Sequence, residues 1–333
     1  MKSGLVHVYQ SSLRGRLRSL LPNQESTGSR FSREKRDEIG FDDGCAPMRL
    51  LRFIPRRFRS HQLVDASEVT TVKGLDRVEK ILRSAGTCTI SNVISAAEAD
   101  AARLAVQQFA EADCARGHHH VYGDGKIRRV WGLVGKDAIF RRLIQHPLVL
   151  AIWQRILGED LIASSFTANI VGPGAPGGGW HVDYPYWMMR SPFPAGFLAV
   201  QTIWMLDDFT PQNGATVWIP GSQKLLGPPT PNEIKGRKTA IAQAPKGSVF
   251  FGDAAFWHQC LPNHTDKERI GLLGMYARSF IHPQEDMPRQ LNDEQLQGES
   301  DVLKQLLGRS VLYRDEDQGS NFSRRRTATG FEP

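Results

Sequence analysis

The chain has 333 residues, 40% apolar and 23% charged, with 10 histidines and 4 cysteines. That length suits one large domain or two small ones with ample core, and the formal charge of +7 raises the question of a polyanionic partner. Residues 1–60 hold 13 Lys+Arg against 6 Asp+Glu, while residues 61–333 balance 29 against 29, so the charge belongs to a leader and no nucleic-acid partner is expected for the rest. The leader has no apolar run long enough for a secretory signal or a membrane span, and its acidic residues argue against a transit peptide. Residues 1–65 therefore read as a basic, disordered extension and the protein as cytoplasmic. Met48, followed by Arg49-Leu50-Leu51, offers an alternative start. Cys45, Cys88, Cys114 and Cys260 form no C-x-x-C pattern, which predicts reduced thiols without a disulfide framework or zinc ribbon.

Order is expected from about residue 69. Leu75, Val78, Ile81 and Leu82 fall on one stripe and predict an amphipathic helix over Leu75–Arg83, ended by Gly86. A strand over Cys88–Val93 follows, then Ser95-Ala96-Ala97-Glu98, a capping-box pattern that opens an Ala-rich helix to about Ala112. His118-His119-His120 lies between Gly117 and Gly123 in loop context. Consecutive residues cannot all aim at one ion, so the segment reads as a loop near a substrate pocket. Asp137–Leu157 reads as helix, broken at His146-Pro147 and stopped at Gly158.

The period then shortens. Leu161–Val171, Trp180–Tyr184, Phe197–Leu206, Ala215–Ile219, Gly247–Phe251 and Ile270–Phe280 are short apolar or alternating runs separated by Gly, Pro, Asn and Asp, with a tight-turn signal at Asn213-Gly214. The pattern predicts a mainly β protein with flanking α-helices, a double-stranded β-helix (jelly roll, cupin-like barrel). It would occupy residues 66–285 with a helical front half, and residues 286–333 would form a C-terminal helix and polar tail. Gly172-Pro173-Gly174 and Gly177-Gly178-Gly179 lack the following helix and lysine of a phosphate loop.

Within Gly177–Tyr184, an extended backbone would put His181 and Asp183 on one face. His258, after the Gly247–Phe251 strand, can close the set: two imidazoles and one carboxylate with open positions is the constellation of non-haem Fe(II) oxygenases. His264-Thr265-Asp266 repeats the tripeptide among Pro262, Asn263 and Lys267, a polar loop. Arg269, eleven residues past His258, opens the next apolar strand. A guanidinium carried inward there suits the far carboxylate of a small diacid, and the competing reading is a surface salt bridge with Asp266 or Glu268. Tyr184, Tyr186, Trp187, Met188 and Met189 either wall a substrate pocket or pack the core, and residues 118–122, His120 among them, are a candidate lid.

The ordered combination Gly179-Trp180-His181-Val182-Asp183, Trp204–Thr210 through Asn213-Gly214-Ala215-Thr216, Ile219-Pro220-Gly221-Ser222, Gly247-Ser248-Val249, Trp257-His258 and Asn263–Arg269 resembles the phytanoyl-CoA dioxygenase family of Fe(II)/2-oxoglutarate oxygenases. The resemblance spans residues 70–283. It implies Fe(II) on His181, Asp183 and His258, O2 and 2-oxoglutarate as co-substrates, the distal carboxylate of 2-oxoglutarate on Arg269, and Thr216, Trp204 and Arg129 lining the co-substrate pocket, with an ordinary core tryptophan as the competing reading of Trp204. The implied reaction is hydroxylation, or a related oxidation, of an unactivated C–H of a small metabolite, with release of succinate and CO2. Gln223 stands where the family commonly has histidine, and Gln259-Cys260 where it has small Gly or Ser residues, which puts a hydroxyl contact to 2-oxoglutarate in doubt. Asp183 argues against a halogenase, which needs a small residue there.

Two other classes stay open. A metal-dependent hydrolase or isomerase on the same barrel would use the three ligands without a diacid for Arg269. A non-catalytic protein recruited through its leader would tolerate loss of His181 or Asp183. The residues imply a small-molecule partner and no membrane span, and leave the oligomeric state unknown.

Overall fold

The computed structural model describes residues 63–309; the basic leader, with Met48 and Cys45, and the polar tail beyond residue 309 lie outside the described residues. In chain order the elements are β1 (Leu63–Asp65), α1 (Val72–Ala85), β2 (Thr87–Ser91), α2 (Ala96–Ala115), β3 (His120–Tyr122), β4 (Ile127–Val130), α3 (Leu133–Lys136), α4 (Ala138–Ile144) and α5 (Pro147–Leu157). There follow β5 (Ile162–Val171), β6 (Ala199–Met205), β7 (Thr216–Trp218), α6 (Pro231–Ile234), β8 (Ala240–Ile241), β9 (Val249–Asp253), β10 (His258–Cys260), β11 (Arg269–Ala277), α7 (Asp293–Gln297) and α8 (Asp301–Leu306).

Local chemistry accounts for the helical front half. Thr71 caps α1 through its side chain, and Gly86, at φ +81°, ends it in the left-handed conformation that a Cβ disfavours. Ser95 and Glu98 form the reciprocal box that opens α2, a cap of the kind that contributes about 1 kcal/mol. Pro147 is the first residue of α5, so the chain breaks between α4 and α5 where a proline cannot continue a helix.

The strands form two sheets. Eight run in the order β1-β2-β9-β6-β11-β5-β4-β3 and three in the order β10-β7-β8. The pleat sorts side chains to two cores. Val200 and Trp204 of β6, Val249 and Phe251 of β9, and Ile270, Leu272 and Tyr276 of β11 pack with Val78, Leu82, Phe140 and Trp153 of the helices. Ile203 and Met205 of β6 and Phe250 of β9 point the other way, to Trp218 of β7 and to Phe256. Each such fully buried side chain stabilises by roughly 1.5–3 kcal/mol relative to exposure. Met287, Leu291, Leu296, Leu303, Leu306 and Leu307 join the helix-side core, so residues 286–309 pack on the large sheet as two short helices and their linkers.

The arrangement is a jelly roll with flanking helices, open rather than closed: no strand ladder joins the two sheets. Trp180–Tyr184, expected as a strand, forms only one isolated bridge, His181 to His258. Three glycines before it and Tyr184-Pro185 after it deny that segment a ladder. His120, expected in a loop, begins β3, and strands β1, β3, β4, β8 and β10 are two to four residues long, too short to show a period in sequence. The turn at Asn213-Gly214 carries the chain from one sheet to the other rather than forming a hairpin, with Gly214 at φ +83°. No helix among the described residues is long and apolar enough to cross a membrane.

Candidate metal centre and its cavity

His181 and Asp183 share one irregular segment, and His258 converges on them from β10. His258 opens β10, and its N–H and C=O exchange bonds with those of His181, both at 3.0 Å. Asp183 N–H donates to the carbonyl of Ala254, in the turn that follows β9, at 2.8 Å. His181 and Asp183 therefore meet by separate backbone tethers, not by strand alternation. Among the described residues, this is the group of three such side chains whose ligand atoms lie within 4.8 Å of one another.

The ring nitrogens are sorted by their partners. His181 Nδ1 lies 2.8 Å from the carbonyl of Gly179, and His258 Nδ1 lies 3.2 Å from that of Phe256. An Nδ1–H donated to a carbonyl leaves the Nε2 lone pair free, the tautomer a metal needs. Both Nε2 atoms face Asp183, at 3.8 Å from Oδ1 and 3.6 Å from Oδ2. Asp183 is buried, and its Oδ2 has no hydrogen-bond partner. Burial pushes the His258 imidazole down to about 4, against the pull of Asp183 and together with the repulsion of His181, so it stays neutral at neutral pH. Phe256 stacks on it at 4.3 Å. Two imidazoles, each with Nδ1 beside a carbonyl, and an unsatisfied carboxylate oxygen fit a divalent first-row cation with positions left open.

Arg269 lies at one end of the adjoining cavity, which has a volume of about 390 Å³. The first residue of β11, it sits in a row with Val171 of β5 and Ile127 of β4. The side chain is 4% exposed, its guanidinium stacked 4.3 Å from the Phe209 ring centroid. Nε donates to the carbonyl of Asn213 at 3.4 Å, and Nη2 to that of Gly214 and to Cys260 Sγ. Among the described residues no carboxylate pairs with it: Glu268 pairs with Arg128 and Asp207 with Arg103. The surface salt bridge is thus not formed. Burial lowers the affinity of Arg269 for its proton, as it does for a cation taken out of water with no carboxylate in contact.

The remaining expected site residues divide. Thr216 of β7, opposite Cys260, lines the cavity, as do Arg129, His120 and Trp187. Arg129 Nε donates to Asn169 at 2.9 Å and the guanidinium lies over Trp131. Trp204 does not line the cavity: the pleat of β6 turns it into the helix-side core, beside His146, while its neighbour Ile203 faces the site. Nor do Tyr184 and Tyr186. Tyr184 bonds through its hydroxyl to the carbonyl of His282, and fully buried Tyr186 donates to Gly196 and accepts from Leu198 N–H. Both fix the loop after the metal motif. Gln201, Asn169, Trp131, Leu273 and Met275 line the cavity unannounced. Counting by twos from Arg269 along β11 finds Leu273 and Met275; the others needed the register between strands.

With the geometry in hand, comparisons place the chain among known proteins. Residues 82–271 match the phytanoyl-CoA dioxygenase (PhyH) family. The dioxygenase af480 of Aspergillus fumigatus is 30% identical over 242 residues, covering 69% of this chain and 76% of that protein. Among solved structures, the epimerase SnoN, in complex with Fe3+, alpha ketoglutarate and nogalamycin RO, aligns with TM-score 0.54 at 21% identity, over 64% of this chain and 87% of SnoN. The carbocyclase SnoK from nogalamycin biosynthesis aligns with TM-score 0.52 at 19% identity, over 62% and 86%. These two share the fold.

Proposed function

The chain belongs to the phytanoyl-CoA dioxygenase family of Fe(II)/2-oxoglutarate-dependent oxygenases, and we propose that it hydroxylates an unactivated C–H of a small metabolite. One observation supports this reading above the rest: His181, Asp183 and His258 face one another in the same cavity as a buried guanidinium without an anion. His181 and His258 would hold the iron through Nε2 and Asp183 through its carboxylate, with Arg269 holding the distal carboxylate of 2-oxoglutarate. Bound iron supplies O2 activation coupled to decarboxylation of 2-oxoglutarate to succinate and CO2.

The chain's own residues bind, orient and exclude water. The carbonyls of Gly179 and Phe256 can each accept an Nδ1–H, which would leave the Nε2 lone pairs to hold the metal. Phe209 and the carbonyls of Asn213 and Gly214 hold the Arg269 fork in one plane, which suits two parallel bonds to a carboxylate. Thr216 and Arg129 stand at the cavity wall as further polar contacts for the co-substrate. A hydrolase or isomerase using the same ligands would leave the Arg269 charge buried to no purpose.

Anaerobic titration of the protein with Fe(II) and 2-oxoglutarate tests the reading through the visible metal-to-ligand charge-transfer band. The band is expected in the wild type and absent in His181→Ala and Asp183→Ala, with turnover reduced at least a thousandfold. Absence of the band in the wild type, or a full band in His181→Ala, sinks the assignment.

A further inference from the structure

Gln201 lies at the other end of the cavity from Arg269 and has no part in the chemistry above. The large sheet runs a row through Ser165 of β5, Met275 of β11 and Gln201 of β6, and all three side chains line the cavity. Along β11 that row is six residues from Arg269, roughly 20 Å. Gln201 is 7% exposed, and its Oε1 is shut off from solvent with no hydrogen-bond partner. A carboxamide oxygen buried without a donor is unusual in a folded protein unless a ligand completes it, and the amide nitrogen beside it can donate to the same ligand's oxygen.

The surroundings say what kind of ligand. Ser165, Thr167, Met275 and Gln284, which line this end, carry no charge. Glu285, the nearest acid in sequence, is turned to backbone N–H groups of Phe166 and Gly132. At the mouth stand Trp187, 55% exposed, and Trp131, 37% exposed, the latter edge-on to His120 at 6.1 Å. The Arg129 guanidinium already lies over the Trp131 ring, 5.3 Å from its centroid, so the more exposed Trp187 supplies most of the indole surface, which favours flat or cyclic carbon frameworks. A hydroxyl can donate to an amide oxygen and accept from an amide nitrogen, whichever way the carboxamide is turned, whereas a carboxylate can only accept.

We propose that Gln201 is the anchor of a primary-substrate subsite, and that the substrate is an uncharged ring compound bearing a hydroxyl, its ring against Trp131 and Trp187 and its hydroxyl on Gln201. This rests on the reading that the Arg269 end takes 2-oxoglutarate. The two ends then recognise different molecules by different chemistry: a fixed cation for a diacid, and a neutral donor-acceptor pair for an alcohol.

Calorimetric titration with 2-naphthol, 2-methoxynaphthalene and 2-naphthoate tests it, using protein loaded anaerobically with Fe(II) and 2-oxoglutarate. The naphthol is expected to bind ~10-fold more tightly than the ether or the acid, because a site built for a hydroxyl rejects analogues that leave its polar atoms unpaired. Gln201→Met should reduce that preference to within about twofold while the 2-oxoglutarate affinity stays put, and Trp187→Ala, a surface change, should weaken all three probes alike. Should Met disturb the fold, Gln201→Asn withdraws the carboxamide by one methylene and must lose most of the preference. A wild type that does not favour the naphthol, or a Gln201 variant that still does, overturns the proposal. Repeating the titrations on metal-free protein separates the two readings: a missing charge-transfer band with an intact naphthol preference would remove the iron reading and leave the subsite.

Discussion

The two sheets meet the cavity in different ways. The large sheet presents it with a lattice: Ile127, Val171 and Arg269 in one row, Arg129, Asn169 and Gly271 in the next, then Thr167, Leu273 and Ile203, then Ser165, Met275 and Gln201. The small sheet contributes Thr216, His258 and Cys260, while His181 and Asp183 sit on backbone that belongs to no ladder, tied by the His181–His258 exchange and the Asp183–Ala254 bond. In the proposed function, contacts to carbon skeletons and to the distal carboxylate would fall mainly to this rigid grid, and metal binding to one small-sheet residue, His258, together with a segment pinned to it by a few bonds. A grid fixes spacing; an irregular segment pinned to a strand lets two imidazoles and a carboxylate approach one point.

The largest expected effect separates the two. Replacing Arg269 by Met removes the cation from the grid and leaves the loops alone, so 2-oxoglutarate affinity should fall a hundredfold or more, in the range seen when a buried charge pair loses one member. Affinity for Fe(II) alone should stay within about twofold. Because the guanidinium is buried without a carboxylate, the ligand-free variant should also be at least as stable as the wild type, whereas added 2-oxoglutarate should raise the Tm of the wild type only. Equal losses of iron and 2-oxoglutarate would merge the two regions into one functional unit.

The same division explains what could be read in the sequence. The long strands β5, β6 and β11 announce themselves as continuous apolar runs between turn residues, and the helices α1, α2, α4 and α5 because burial on one face repeats every 3.6 residues. His181, Asp183, His258 and Arg269 are conspicuous as residue types, and their order along the chain carries the family pattern. Their geometry was not legible: Trp180–Tyr184 looks alternating but is flanked by Gly179 and Pro185, and the pairing that matters is a single bridge made 77 residues later in the chain. Trp204 shows the limit from the other side. A tryptophan beside Ile203 in a run buried on both faces has no sequence signal for which face it takes, and only the register against Leu272 decides it. Gln201 was invisible for the same reason.

Asp253, where the large sheet hands over to the turn that holds Asp183, offers a smaller and sharper test. It is 4% exposed, accepts one bond from Ala255 N–H at 3.0 Å, and burial pushes its carboxyl up to about 7. The native state therefore keeps this proton up to about pH 7, while the unfolded chain releases it near the ordinary value of 3.8. Its contribution is favourable below pH 4 and is lost as pH rises through 7. Asp253→Asn, which cannot titrate, should gain on the wild type across that window, by on the order of 2 kcal/mol at pH 8, and the gain should vanish near pH 3.5. Thermal melts at the two pH values measure it; a pH-independent difference would mean that Asp253 is charged in the folded protein.

The smallest expected effect concerns the neighbour of Arg269. Glu268 is the acid a reader of the sequence would pair with that guanidinium, yet it faces the opposite side of β11 and meets Arg128 at 2.7 Å, with both side chains about one-third exposed, 33% and 30%. Pairs this wet contribute under ~1 kcal/mol, and salt weakens them further. Glu268→Gln should then shift the unfolding midpoint slightly, lose that shift in high salt, and leave the 2-oxoglutarate affinity within about twofold of the wild type. If Glu268 instead shared the Arg269 charge, its removal would free the guanidinium and tighten 2-oxoglutarate severalfold. The sign of that one number decides whether the buried cation is reserved for a ligand or is already in use by the protein.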